Sequence, residues 1–143
     1  MVSVPGAAIA LPLVAEAQQR PGGGPGPYAP YGAQSYLAGN PDAFNPAELL
    51  LAALSACMIK GIERAVPMLK FTLRGVEVRV DGVRQDAPPK MESISYEIIV
   101  DTDESDHRLD LLHYNVKKFG TVFNTVAPGT RLSGELRRKQ VRG

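Results

Sequence analysis

The sequence predicts an α+β fold in which a mostly antiparallel sheet wraps a buried central helix, with a second, amphipathic helix beside it. Three observations carry this. The run over residues 45–59, Asn-Pro-Ala-Glu-Leu-Leu-Leu-Ala-Ala-Leu-Ser-Ala-Cys-Met-Ile, is helix-forming, and from Leu49 onward it is apolar on every face apart from Ser55 and the thiol of Cys57. Two stretches of period-2 patterning, Val76, Val78, Val80 and then Ile94, Tyr96, Ile98, Val100, are joined by a hairpin-length connection. After them Leu109, Leu112, Val116 and Phe119 recur at helical spacing ahead of a last short strand. Strands and helices in separate runs give α+β rather than a parallel α/β layout.

The first 44 residues hold strand and loop. Ile9, Leu11 and Leu13 alternate with Ala10, Pro12 and Val14 as in a strand, and Pro12, which cannot donate to a ladder, puts that strand at an edge. Residues 2–14 are apolar and Ala15-Glu16-Ala17 resembles a small-residue cleavage site. No Lys or Arg precedes Arg20, however, so the basic opening of a secretory signal is missing and the segment reads as strand, with a cleaved export signal as the alternative. Residues 20–27, Arg-Pro-Gly-Gly-Gly-Pro-Gly-Pro, are too rich in Gly and Pro for regular structure. Tyr28, Tyr31 and Tyr36 follow and suit either dimer packing or the wall of a pocket.

The central helix is expected over 45–66. Asn45 suits the N-cap, Pro46 the first helical position, and Glu48 the carboxylate of a capping box; Gly61 and Pro67 weaken and end the helix. Its apolar stretch is only about half of the roughly 20 residues that span a bilayer, so it belongs in a protein core. A hairpin occupies 70–101, with strands at 71–80 and 93–100 and the polar, Gly- and Pro-containing segment 81–90 as the connection. The acidic segment 101–106 favours the positive end of a helix dipole, so the second helix is expected over 104–127 with a break at Gly120. Pro128-Gly129 ends it, and a last strand fills 130–139.

Composition narrows function. The 143 residues suit one domain, and a net charge of +1 argues against nucleic acid or a membrane surface as partner. A single cysteine excludes an internal disulfide and fits a reducing, cytoplasmic compartment. There is no CxxC pair and no HExxH, and His107 and His113, six apart, point to different helix faces, so no metal and no cofactor is expected. The basic end, Arg137-Arg138-Lys139, reads as a solvated strand edge.

The stretch from Asn45-Pro46 through Ala56-Cys57, followed by a valine-alternating strand, a hairpin, a broken helix and a final strand, resembles the OsmC/Ohr family of thiol peroxidases across residues 40–138. The resemblance implies an OsmC-like fold in an intertwined homodimer. It also implies thiol-dependent reduction of organic hydroperoxides in oxidative stress defence, with Cys57 as the nucleophile and Arg20, just before Pro21-Gly22-Gly23, as the activating cation. Two departures stand out. A second, resolving cysteine opens the short helix after the break in the family, where this chain has Gly120. A glutamate follows the motif proline in the hydroperoxide-resistance branch, where this chain has Ala47. The resemblance therefore implies a one-cysteine cycle in which an external thiol reduces Cys57.

On the pattern alone, Cys57 is a small packed hydrophobe before it is a reactive thiol, and it is the resemblance that raises the reactive thiol to an even footing or better. Glu48 is a helix cap before it is a base. If Arg20 is not the cation, Lys60, Arg64 or a second subunit takes that part. Beside the peroxidase reading stand a non-catalytic OsmC-fold dimer that binds a small apolar ligand, and, from fold physics alone, an acyl-thioester-binding domain.

Overall fold

A helix that is apolar on all sides must be covered by other elements, and a computed structural model shows which ones do so. It describes the backbone of residues 2–10 and residues 46–140 with their side chains. The elements in chain order are β1 (Val2–Ala10), α1 (Pro46–Leu69), β2 (Gly75–Asp86), β3 (Pro89–Asp101), α2 (Asp106–Phe119), α3 (Thr121–Val126) and β4 (Arg131–Arg138). Arg20, the Gly/Pro-rich loop, the three tyrosines behind it, Pro12 and the Asn45 cap lie outside the described residues.

The strands form one sheet in the order β1-β2-β3-β4. β1 pairs antiparallel with β2, and its register breaks between Val4 and Ala7, where Pro5 brings no N–H to the ladder. β2 and β3 are antiparallel, with Val78 opposite Ile98 and Val80 opposite Tyr96. β4 runs parallel to β3, Ile94 facing Leu132 and Ile98 facing Leu136; α2 and α3 form the crossover that a parallel pair requires.

One sheet face is apolar and carries Val76, Val78, Val80, Ile94, Tyr96, Ile98 and Val100. Against it lie Leu51, Leu54, Met58, Ile59, Ile62 and Ala65 of α1, and Leu109, Leu112 and Val116 of α2 complete the core. Each large aliphatic side chain buried there contributes about 1.5–3 kcal/mol relative to exposure. The polar Ser55 is accommodated because its hydroxyl donates to the Leu51 carbonyl at 2.9 Å. Gly61, read from sequence as a weak point, lies where α1 meets α2: a methyl group there would stand 3.5 Å from Val116 Cγ1.

Three boundaries differ from expectation. α1 runs through Pro67 to Leu69. It ends in a Schellman motif, with Phe71 N donating to Val66 O at 2.9 Å, Lys70 N donating to Pro67 O at 3.3 Å, and Lys70 in the left-handed region at φ 50°. No basic residue sits in the last turn of α1, and Arg108 of α2 supplies the charge, donating to Leu69 O at 2.6 Å and Lys70 O at 3.2 Å. Phe71 is consequently not a strand residue but is buried beneath the Arg108 guanidinium, 5.7 Å from its ring centroid.

The hairpin connection is also much shorter than 81–90. Gly82 sits in the ladder opposite Ile94 and Gln85 opposite Lys90, so the polar residues are the tip of a long ribbon reaching past the core. Finally, α2 begins at Asp106 with Ser105 as its N-cap, Ser105 Oγ accepting from Arg108 N at 3.4 Å. The preceding acids are already engaged. Asp101 and Asp103 bind Arg74 at 2.9 and 2.7 Å, and Glu104 accepts from Thr72 N at 2.9 Å and Arg108 Nε at 3.2 Å.

Among the described residues no helix is long and apolar enough to cross a membrane. No group of three or more His, Cys, Asp or Glu among them is arranged to hold a metal ion.

Candidate functional site

Helical geometry assigns Cys57 its surroundings. Leu54 and Met58 turn toward the core, whereas Cys57 lies on the flank of α1 shared with Ala53, Lys60 and Arg64, at offsets of four, three and seven residues. That flank faces the junction of α2 and α3. Between them is a cleft of about 430 Å³, walled by Ala53, Ala56 and Gly61 on one side and residues 119–122 on the other, with half-buried Cys57 in its lining.

Gly120 lines the cleft, is buried, and separates the two helices with an extended backbone (φ −77°, ψ 112°). A β-carbon placed on Gly120 would stand 3.4 Å from Cys57 Sγ. The break in the helix predicted from sequence therefore brings residue 120 directly to the thiol. Ala47 is partly buried against the core, and Glu48 sits in the first turn of α1, away from the residues that line the cleft.

The charge in the cleft wall is positive. Among the described residues Lys60 and Arg64 line it, and no Asp or Glu does so. Arg64 is held by donating from Nη1 to Phe119 O at 3.3 Å while its guanidinium lies 5.1 Å from the centre of the Phe119 ring. Lys60 pairs with Glu63 at 3.3 Å, an exposed one-turn pair that water screens. A partly exposed thiol with cations around it is the environment in which reactive cysteines occur. Both cations lie at helical offsets from Cys57, with Arg64 roughly 20° out of line, so the spacing in the sequence already carried them. Arg20 lies outside the described residues.

Behind the cleft, α3 leans on an aromatic group. Tyr96 of β3 meets Phe123 edge to face at 6.1 Å and His113 at 5.7 Å, and its hydroxyl is 2.6 Å from His113 Nε2. Burial pushes the Tyr96 phenol up to about 12 and pushes the His113 imidazole below its ordinary value, with Lys117 lowering it further and Asp110 opposing. Both neutral forms are therefore favoured, and the phenol and the imidazole share one hydrogen bond between the Tyr96 oxygen and His113 Nε2. His113 is thus a half-buried partner in a bracing contact rather than a surface side chain; nothing in the helical periodicity revealed Tyr96 across from it.

Comparison with known proteins fits this geometry. A protein-family model described as OsmC-like protein matches residues 39–134. Among solved structures, an OsmC-like protein of Mycoplasma pneumoniae superposes with a TM-score of 0.67 at 17% identity, covering 74% of this chain and 79% of that one. An organic hydroperoxide resistance protein of Elizabethkingia anophelis gives 0.59 at 14% identity, covering 70% and 71%. An organic hydroperoxide resistance protein OsmC of Legionella pneumophila gives 0.55 at 16% identity, covering 71% and 73%. At these identities the likeness to solved structures concerns the fold. No curated protein sequence matches the chain significantly.

Proposed function

The chain belongs to the OsmC-like protein family, and from that premise we propose that it reduces organic hydroperoxides with Cys57 as the nucleophile. The observation that carries this reading is the position of Cys57, half-buried in an open cleft whose lining, among the described residues, has side chains that are apolar apart from the thiol, two cations and the Thr121 hydroxyl. The Cys57 thiolate attacks the distal peroxide oxygen, the O–O bond breaks, and the alcohol leaves after taking a proton. Cys57 is left as sulfenic acid. An external thiol condenses with it, releasing water and forming a mixed disulfide, and a second thiol regenerates Cys57 and leaves as the disulfide. One peroxide is reduced and two thiols are oxidised.

Arg20 is the proposed cation for the leaving oxygen. It is the only Lys or Arg before Lys60, and a Gly/Pro-rich segment follows it. Arg20→Met is expected to slow reaction with peroxide by about tenfold or more, the effect of losing roughly 1.4 kcal/mol of transition-state stabilisation.

The homodimer belongs to the same proposal. Leu49 and Met68 of α1 are 38% and 62% exposed in the single chain, and a second copy covering α1 suits a helix whose sequence is apolar all round. The cytoplasm, where thiol reductants are abundant, is the proposed compartment. Gly120 favours a second reading, a non-catalytic dimer that keeps the cleft for a small apolar ligand.

The test is turnover of cumene hydroperoxide with an added thiol. Wild type is expected to consume it and Cys57→Ser to be inactive. A Cys57→Ser protein working at the wild-type rate would remove the thiol mechanism.

A further inference from the structure

We infer that the cleft beside Cys57 takes a small thiol carrying carboxylate groups, whose sulfur reaches Cys57 from the cleft. This rests on the proposed role of Cys57 and names the class of its reductant. The first observation is spatial. A β-carbon on Gly120 would be 3.4 Å from Cys57 Sγ, close to the separation between a sulfur and the far β-carbon across a disulfide. The place of a side chain at 120 is itself crowded, 3.0 Å from Val116 O and Phe123 Cβ, but Cys57, half-buried, lines the open cleft beside Gly120. A sulfur from outside the chain can therefore reach Cys57 through the cleft.

The second observation is charge. Among the described residues Lys60 and Arg64 line the cleft and no acidic residue does, Glu63 pairing with Lys60 from outside that lining, and Arg64 is oriented by the Phe119 carbonyl and ring. A thiol bearing carboxylates matches both cations, an amino-thiol is repelled by them, and an uncharged thiol gains nothing from them. The third is size, since about 430 Å³ falls within the range of small-molecule sites.

The chemistry balances without any further reactant. The incoming thiolate attacks the sulfur of the Cys57 sulfenic acid, the S–O bond breaks, and the hydroxide takes up the proton that the thiol released and leaves as water; the second thiolate attacks the mixed disulfide and frees the Cys57 thiolate. The same site must also exchange with the corresponding disulfide. There Cys57 thiolate attacks one sulfur, a mixed disulfide forms, and one small thiolate is expelled. That exchange needs no peroxide, so it separates this inference from the peroxidase reading.

The experiment compares reduced protein with glutathione disulfide, which is anionic, and cystamine, which is dicationic, following mixed disulfide at Cys57 by intact mass. N-acetylcysteine amide provides the reference ratio of rates for a thiol with no site around it. The protein's ratio is expected to exceed the reference by about fivefold at low salt, the scale of two exposed ion pairs, and to fall toward it in 0.5 M NaCl. Lys60→Gln is expected to lower the ratio partway, and Lys60→Gln with Arg64→Gln to bring it to the reference, while Lys90→Gln, at the hairpin tip, leaves it unchanged. A wild-type ratio equal to the reference, a ratio unmoved by the double substitution, or no mixed disulfide with either reagent would each overturn the inference. Sulfenate formation with cumene hydroperoxide, measured on the same samples, reports on the peroxidase reading alone.

Discussion

Gly120 and Cys57 lie within one bond's reach of each other: a β-carbon on residue 120 would stand 3.4 Å from the Cys57 sulfur, although 63 positions separate them in the chain. The helix break between α2 and α3 creates this approach by turning residue 120 inward. Gly120→Cys is therefore expected to form a disulfide with Cys57 on mild oxidation, seen as loss of two mass units and of both free thiols. Its β-carbon would also stand 3.0 Å from Val116 O and Phe123 Cβ, so α3 must shift by a few tenths of an ångström and the reduced variant should be slightly less stable than wild type. Two persistently free thiols would show that the approach is not open.

Tyr96 and His113 give a prediction read by pH. Burial, then Lys117, lowers the His113 pKa, with Asp110 opposing, so the unfolded chain takes up this proton at a higher pH than the folded one. The contribution is full above the ordinary histidine value of about 6.5. It is lost as pH falls from there through the folded value. The imidazole nitrogen shifts of His113 should accordingly titrate below that ordinary value. Tyr96→Phe should cost about 1 kcal/mol by leaving Nε2 without its partner.

The α1 terminus predicts an acid sensitivity of a different kind. Glu104 is held below the usual carboxylate range by the Thr72 N–H and then by Arg108, and Asp103 by its hydrogen bond to Arg74. Their folded pKa values are depressed, so this stability is present above the unfolded values and lost as pH falls through the folded ones. Urea midpoints should drop as pH goes below the usual range of about 4. In Glu104→Gln that drop should be smaller, from a lower starting stability at neutral pH.

Gly134 stands opposite Tyr96 in the β3–β4 ladder, and a β-carbon there would clash with the Tyr96 carbonyl and ring. Gly134→Ala should destabilise by about 1–3 kcal/mol. Because Tyr96 also supports Phe123 of α3, the same variant should loosen the cleft, detectable as faster alkylation of Cys57.

What could be read beforehand followed from periodicity. The all-round apolar run around Cys57, the alternating valines of β2 and the broken helix at Gly120 each predicted a real element, and together with the Asn45-Pro46 to Ala56-Cys57 motif they pointed to the family. What was missed came from contacts across the chain. Pro67 fell inside α1 because Arg108, distant in sequence, and the left-handed Lys70 set the helix end. The hairpin ran on through 81–90 because backbone pairing held polar residues that no longer face a core. In the site, Lys60 and Arg64 were legible as offsets from Cys57, whereas the closeness of Phe119 and Gly120 to them depends on how α2 packs on α1.

The most direct measurement of the central claim is the oxidation state of Cys57 after one equivalent of cumene hydroperoxide. The predicted result is a gain of one oxygen, mapped to Cys57, captured by dimedone and reversed by an added thiol, with no gain in Cys57→Ser. An unmodified Cys57 with the peroxide left intact would contradict the account.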